Sequence, residues 1–335
     1  MPHQSSAMNG DSVADTQVGA ARISARPSAM REAVGLYGPA SAAWRLNREA
    51  TLLLGAGPRA LLMQIAHPLV AEGVAAHSKF RIDPWRRLRA TLRSYLTIVY
   101  GTTTEARGEI ARLNQFHREI KGAVSDPGAA RAHGPLYAAR DPELSLWVHA
   151  TLIDATLVAN ERWIGRLDPA QRAAFYAESL PIGRAFGVPA RLLPADIDSF
   201  DAYLAAMIAP GGPVQVGPLA RDLAQVILRP PLGPLHPLLT RVPSRLYAWT
   251  MWPAIELLPE PIRAGYGLPL GRRERLVSAW LATGYRAWRP VLPASVRTMP
   301  WALKADARLA ALIADPSQPD PSQPDPSPAD PRSPA

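Results

Sequence analysis

From about Met30 to Ala314 apolar residues recur at spacings of three and four, while the strict alternation of a half-buried strand is hard to find. That periodicity predicts an all-α chain. The predicted helices are Ala40–Leu54, Pro58–Ala66, Pro68–Ala76, Pro84–Tyr100, Thr103–Ala123, Pro142–Arg166, Pro169–Phe186, Pro194–Ala209, Pro218–Leu228, Arg241–Trp252, Glu260–Tyr266, Arg272–Trp288 and Pro300–Ala314. Three of them open on Asp-Pro, in "DPW", "DPE" and "DPA". The aspartate caps the first free amides, and the proline ring already holds the φ angle of a first helical turn.

The two ends read differently. Residues 1–30 lack the apolar core of a secretory signal and are expected to be disordered. Residues 315–335 repeat Pro-Ser-Gln-Pro-Asp, which offers neither amide donors for a helix nor apolar groups for a core. Between them, residues 31–314 are read as one globular multi-helix domain, with the Pro- and Trp-rich stretch from Pro210 to Pro269 wrapping its core. The 47% hydrophobic content is enough to build that core. No run reaches the roughly 20 apolar residues that span a bilayer. A soluble, cytoplasmic chain is expected, with peripheral membrane contact left open.

The net charge of +9 and pI near 10.2 raise nucleic acid as a partner. The basic residues are dispersed, however, and all but Lys79, Lys121 and Lys304 of the 37 are arginine. That pattern resembles the codon bias of a GC-rich genome more than a binding surface, and no nucleic-acid partner is expected. The guanidinium fork still suits an anionic cofactor. Cysteine is absent, which removes disulfides, thiolate nucleophiles, iron–sulfur clusters and thiolate-ligated or covalently attached haem. A metal must then rest on histidine, carboxylate or a neutral ligand.

Helical register sorts the histidines. His117 shares a stripe with Ile110, Leu113 and Ile120, so it points toward the core, with Lys121 one turn further on the same side. His149 lies in a segment that is apolar nearly all round, which places it at the centre of the domain. Each is either a hydrogen-bonded core histidine or a ligand. His67 precedes Pro68, where a helix breaks or kinks, and His77 would not share its face. No His-x-x-x-His or Glu-x-x-His pair occurs, nor a serine-triad motif, a P-loop or a dinucleotide fingerprint. In "DPWRRLRATLRSY", Arg87 and Thr91 are one turn apart on one face, either as part of a solvated basic surface or as a polar site for carboxylates.

The segments "GAGPRALLMQIAHPLVAEGVAAHSKFRIDPWRRLRATL", "YGTTTEA", "FHREIKG" and "YAARDPELSLWVHATLIDA", in that order, resemble the family that contains the fungal oxygenase MpaB and the bacterial latex-clearing rubber oxygenases. The resemblance covers roughly Leu36 to Pro269. It implies an all-helical domain around a central pocket for non-covalent haem b, one helix histidine as axial iron ligand, and oxidative cleavage of a C=C bond in an apolar, isoprenoid substrate by O2. By motif, His117 matches the axial histidine, with Lys121 following it, and His149 is the second candidate for the metal. Arg87 and Thr91 match the arginine and threonine of the family's Arg-x-x-Lys-Thr element, as pocket residues or as a propionate anchor. Ala90 stands where the rubber oxygenases carry lysine, and Glu72 is a positional guess for their glutamate base. The competing reading is a non-enzymatic helical carrier or sensor of haem or lipid.

Overall fold

The computed structural model describes residues 28–77, 84–228 and 251–314. The two expected disordered ends lie largely outside those residues, as do Asp83 of "DPW" and most of the expected helix Arg241–Trp252. The fold is all-α, with sixteen helices among the described residues. They run α1 (28–34), α2 (Ala42–Leu46), α3 (Leu52–Ala66), α4 (Pro68–His77), α5 (Pro84–Tyr100), α6 (Thr103–Glu119) and α7 (Pro127–His133). Then follow α8 (Pro142–Trp163), α9 (Pro169–Ala185), α10 (Ile197–Ile208), α11 (Pro218–Leu228), α12 (251–256), α13 (Glu260–Gly265), α14 (Arg272–Trp288), α15 (Ala294–Arg297) and α16 (Pro300–Ala314). None of them is long and apolar enough to cross a membrane.

Asp-Pro sets the helix starts as expected. Asp141 accepts hydrogen bonds from the amides of Glu143 and Leu144 at the head of α8, and Asp168 forms a capping box with Gln171 at the head of α9. A third such start, Asp126-Pro127 on α7, went unpredicted.

The long α8 is the axis of the fold. Trp147, Ala150, Ile153 and Leu157 on it are buried against Leu62, Met63 and Ile65 of α3. Helices α9, α10, α11 and α13 complete this main core, so the described part of the Pro210–Pro269 stretch does pack on it; Tyr266 donates a hydrogen bond to the Leu62 carbonyl at 2.7 Å. A second cluster joins α1, α2, α5 and α16 around Trp44, Leu96 and Tyr100. The α3–α8 contact is crossed by a buried ion pair, Arg59 with Asp154, and Arg59 Nε also donates to the Leu257 carbonyl at 2.8 Å.

Three expected boundaries are corrected. The single helix Ala40–Leu54 is two pieces, because the chain opens between α2 and α3 to pair with residues near the C-terminus. There Ala50 N–H donates to the Arg297 carbonyl, Met299 N–H to the Arg48 carbonyl, and the buried Glu49 receives Arg289 at 2.7 Å and the Tyr285 hydroxyl at 2.7 Å. Helix α3 starts at Leu52 and runs through "GAGPRA"; a Cβ at Gly55 would lie 3.2 Å from Trp163 Nε1 and 3.3 Å from Leu257, so this glycine serves close helix packing. Helix α6 stops at Glu119, where Ile120 turns extended and the chain enters β1 (Lys121–Ala123).

Strand β1 pairs antiparallel with β2 (Leu136–Ala138), with Gly122 opposite Tyr137. A Cβ on Gly122 would fall 2.7 Å from the Tyr137 hydroxyl, so the absence of a side chain there lets the tyrosine lie close across the pair. Ala139 N–H then donates to the Ile120 carbonyl and closes the excursion. The expected break at His67 is present: its ψ of 122° ends α3, and Pro68 opens α4.

Removing one member of the Arg59–Asp154 pair strands a charge in the core. Asp154→Ala is expected to destabilise the protein by about 3–5 kcal/mol, read from urea unfolding; a loss below about 1 kcal/mol would show the pair to be dispensable.

Candidate functional site

His117 sits in the last turn of α6, half-buried, with its ring between those of Phe116 and Phe186 at centroid distances of 5.8 and 6.4 Å. Phe186 is the residue that ends α9, and the neighbouring Ala185 carbonyl accepts a hydrogen bond from Asn114 of α6 at 2.8 Å. This contact fixes the end of α6 on the end of α9. Burial lowers the His117 pKa, and the positive charges of Arg87, Arg112 and Arg140 lower it further. Burial and the positive field of three guanidiniums thus both disfavour protonation of the imidazole.

Those arginines arrive from three elements. Arg87 lies on the first turns of α5 and is half-buried, which pushes its own pKa down. Arg112 is on α6 itself and is committed to Glu109 at 2.5 Å and to the Ser94 hydroxyl at 3.1 Å. Arg140 precedes the Asp141 cap of α8 and lies exposed. Thr91, one turn beyond Arg87 on α5, is exposed. The charge of Arg87 thus reaches His117. Sequence reasoning missed Arg112, Arg140 and Phe186. Arg140 stood next to a recognised helix start, but no periodicity or motif pointed to Phe186.

Lys121 and His149 stand elsewhere. Because α6 ends before it, Lys121 does not continue the His117 stripe; it is exposed on β1, and its carbonyl lies 3.2 Å from His77 Nε2. His149 is buried on α8 against α9. Its Nε2 donates to the Ser179 carbonyl at 3.1 Å, and its ring fills the space a Cβ on Gly183 would take, 3.0 Å away. Burial lowers its pKa to about 4. The α9 segment from Ser179 to Phe186 therefore carries His149 at one end and His117 at the other.

Glu72 is buried and spends both oxygens on Ser125 and the Asp126 amide, anchoring the start of α7. His67, also buried, packs its ring 5.1 Å from that of His133, and burial together with that neighbour lowers its pKa to about 4. The described residues hold no cluster of three or more His, Cys, Asp or Glu side chains able to bind a metal ion. A single imidazole with cationic neighbours suits a metal that brings most of its ligands with it, in a group bearing carboxylates.

His67 and His149 make stability pH-dependent. In the unfolded chain each takes up a proton near pH 6.5, and in the folded protein only near pH 4, so between these values the unfolded state binds more protons. Stability is full above about pH 6.5 and falls as the pH drops toward 4, by about 3 kcal/mol per histidine. Urea unfolding across that range should show the loss, and His149→Gln should remove its share; a flat profile would contradict the burial argument.

The sequence matches a known family over residues 44–293, the one described as ER-bound oxygenase mpaB/B'/Rubber oxygenase, catalytic domain. It is also 28% identical over 147 residues to two uncharacterized proteins, one of Mycobacterium bovis and one of Mycobacterium tuberculosis. That match covers 43% of this chain and 55% of each relative, so the chain spans about half the length of the curated relatives it matches. No solved structure matches it. With most of the helical domain inside the matched span, the chain belongs to the mpaB/B' and rubber-oxygenase catalytic-domain family.

Proposed function

We propose that this chain is a haem b-dependent oxygenase that acts on an apolar substrate, with the C=C bond of an isoprenoid chain as the group attacked by O2. The observation that carries the reading is the neutral, half-buried imidazole of His117 set among Arg87, Arg112 and Arg140. Family membership supplies the oxygenase class.

In this reading His117 provides the one protein nitrogen to iron. Neutral imidazole is the form that ligates, and burial with three nearby guanidiniums keeps it neutral at lower pH than an ordinary histidine. Arg87 and Arg140 would pair with propionates, where a charge-assisted hydrogen bond is stronger than in open solvent. Phe116 and Phe186 offer apolar surface beside the imidazole. Thr91 adds a hydroxyl to the face that carries Arg87. His149 acts from behind, by holding α8 on α9 through Ser179 so that Phe186 stays in place. When bound, haem supplies a metal with an open position for O2.

Protein expressed with added haem should show a Soret band and about one haem per chain. His117→Ala should lose the band while its thermal unfolding in the haem-free state stays close to the parent's, and Arg87→Met should weaken haem retention by roughly tenfold or more. His149→Ala should cost stability first. A parent protein without a Soret band, or a His117→Ala variant that keeps it, would overturn the assignment. Haem binding with no O2 consumption on any apolar alkene would leave a carrier in place of an enzyme.

A further inference from the structure

Helix α14 is mounted the wrong way round for a helix on a protein surface. Beyond its first turn, several polar side chains on it and at its end reach toward the protein. Arg289 pairs with the buried Glu49 at 2.7 Å, Ser278 hydrogen-bonds Glu256, and Arg286 donates to the carbonyls of Glu161 and Arg162 at 2.7 and 2.6 Å. Ser278 and Ala282 are buried on that side. Its large apolar side chains face outward: Leu276 is 70% exposed, Trp280 74% and Trp288 67%.

The same surface continues past the helix, where Val291 and Val296 are exposed. A surface helix ordinarily buries its apolar stripe and wets its polar one. Here hydrogen bonds and ion pairs fix the reverse orientation, so the outward apolar face is built in rather than left over. Contiguous patches of this kind mark interaction surfaces.

Charge identifies the occupant. The one acid between Pro261 and Ala305 is Glu274; of the basic residues there, Arg286 and Arg289 reach toward the protein. Arg272, Arg273 and Arg275 lie exposed at the head of α14, beside Leu276 and Trp280. Tryptophan and leucine flanked by arginine is the composition that settles into the headgroup boundary of an anionic bilayer. A second copy docking face to face would set one basic surface against another, with only Glu274 from each to offset it.

We infer that the outer face of α14, with Leu276, Trp280 and Trp288 and their flanking arginines, docks this protein on anionic lipid membranes. The contact is peripheral, with the apolar side chains entering the headgroup region and the arginines pairing with lipid phosphate and carboxylate.

The test is co-sedimentation of the full chain with vesicles of phosphatidylcholine mixed with phosphatidylserine, compared with phosphatidylcholine alone, and size-exclusion chromatography in parallel. The parent should pellet with the anionic vesicles, less so as salt rises. The pair Leu276→Ser with Trp280→Ser should lower vesicle affinity by roughly tenfold or more, and Arg272→Gln with Arg275→Gln should reduce both the affinity and its salt dependence. All four side chains are exposed, so unchanged thermal unfolding is expected and checks the fold. No pelleting of the parent, or equal pelleting of the Ser variant, would overturn the inference. So would a parent dimer that the Ser variant dissolves and that does not bind vesicles, since the face would then belong to a second copy.

Discussion

The fold depends on the buried meeting of Arg59 and Asp154 across α3 and α8. Two helices that are otherwise apolar along their contact could slide by a turn at little cost, since Leu, Met, Ile and Ala neighbours are interchangeable over short distances. A charge pair is not. Arg59 must face Asp154 and, through Nε, the Leu257 carbonyl, which ties α3, α8 and the segment after α12 into one register. Burying the two charges costs desolvation energy, and their gain is specificity of arrangement as much as stability. The other helices dock on the pair so aligned.

Helix α9 separates two histidines of different character. His149 is saturated: its Nε2 is committed to a backbone carbonyl, its ring is enclosed, and Gly183 is the only residue type that leaves it room. His117 is half-buried, flanked by aromatic rings rather than by a hydrogen-bonding carbonyl, and surrounded by positive charge. Both are kept neutral mainly by burial. They differ in which atoms surround them: a backbone carbonyl and a glycine at His149, aromatic rings at His117.

Much of this was readable from the sequence because it is local. Asp-Pro starts, the break at His67 and the central α8 all follow from spacing or capping chemistry. What could not be read depends on contacts between distant residues. Helix α6 ends at Glu119 and the chain pairs Lys121–Ala123 with Leu136–Ala138, and nothing in "FHREIKGAV" announces that partner. The helix predicted from Ala40 to Leu54 opens because Glu49 is drawn to Arg289 and Tyr285 from the far end of the chain. Phe186 reaches His117 only through the packing of α9 on α6. The outward face of α14 reads in sequence as an ordinary amphipathic helix, since periodicity tells that a stripe exists and not which way it points.

The hydrogen bond from Ala139 to Ile120 has a consequence for how such chains diversify. It joins the exit of α6 to the entry of α8, so the eighteen or so intervening residues form a loop whose ends are already clamped together. Lengthening a loop with fixed ends costs little free energy, because closure entropy grows only logarithmically with length. Between its anchor points on Glu72 and His67, the excursion through β1, α7 and β2 can therefore be lengthened without shifting His117 relative to α8. The clamp separates the length of the excursion from the placing of His117, which is set by the frame of α6 and α8.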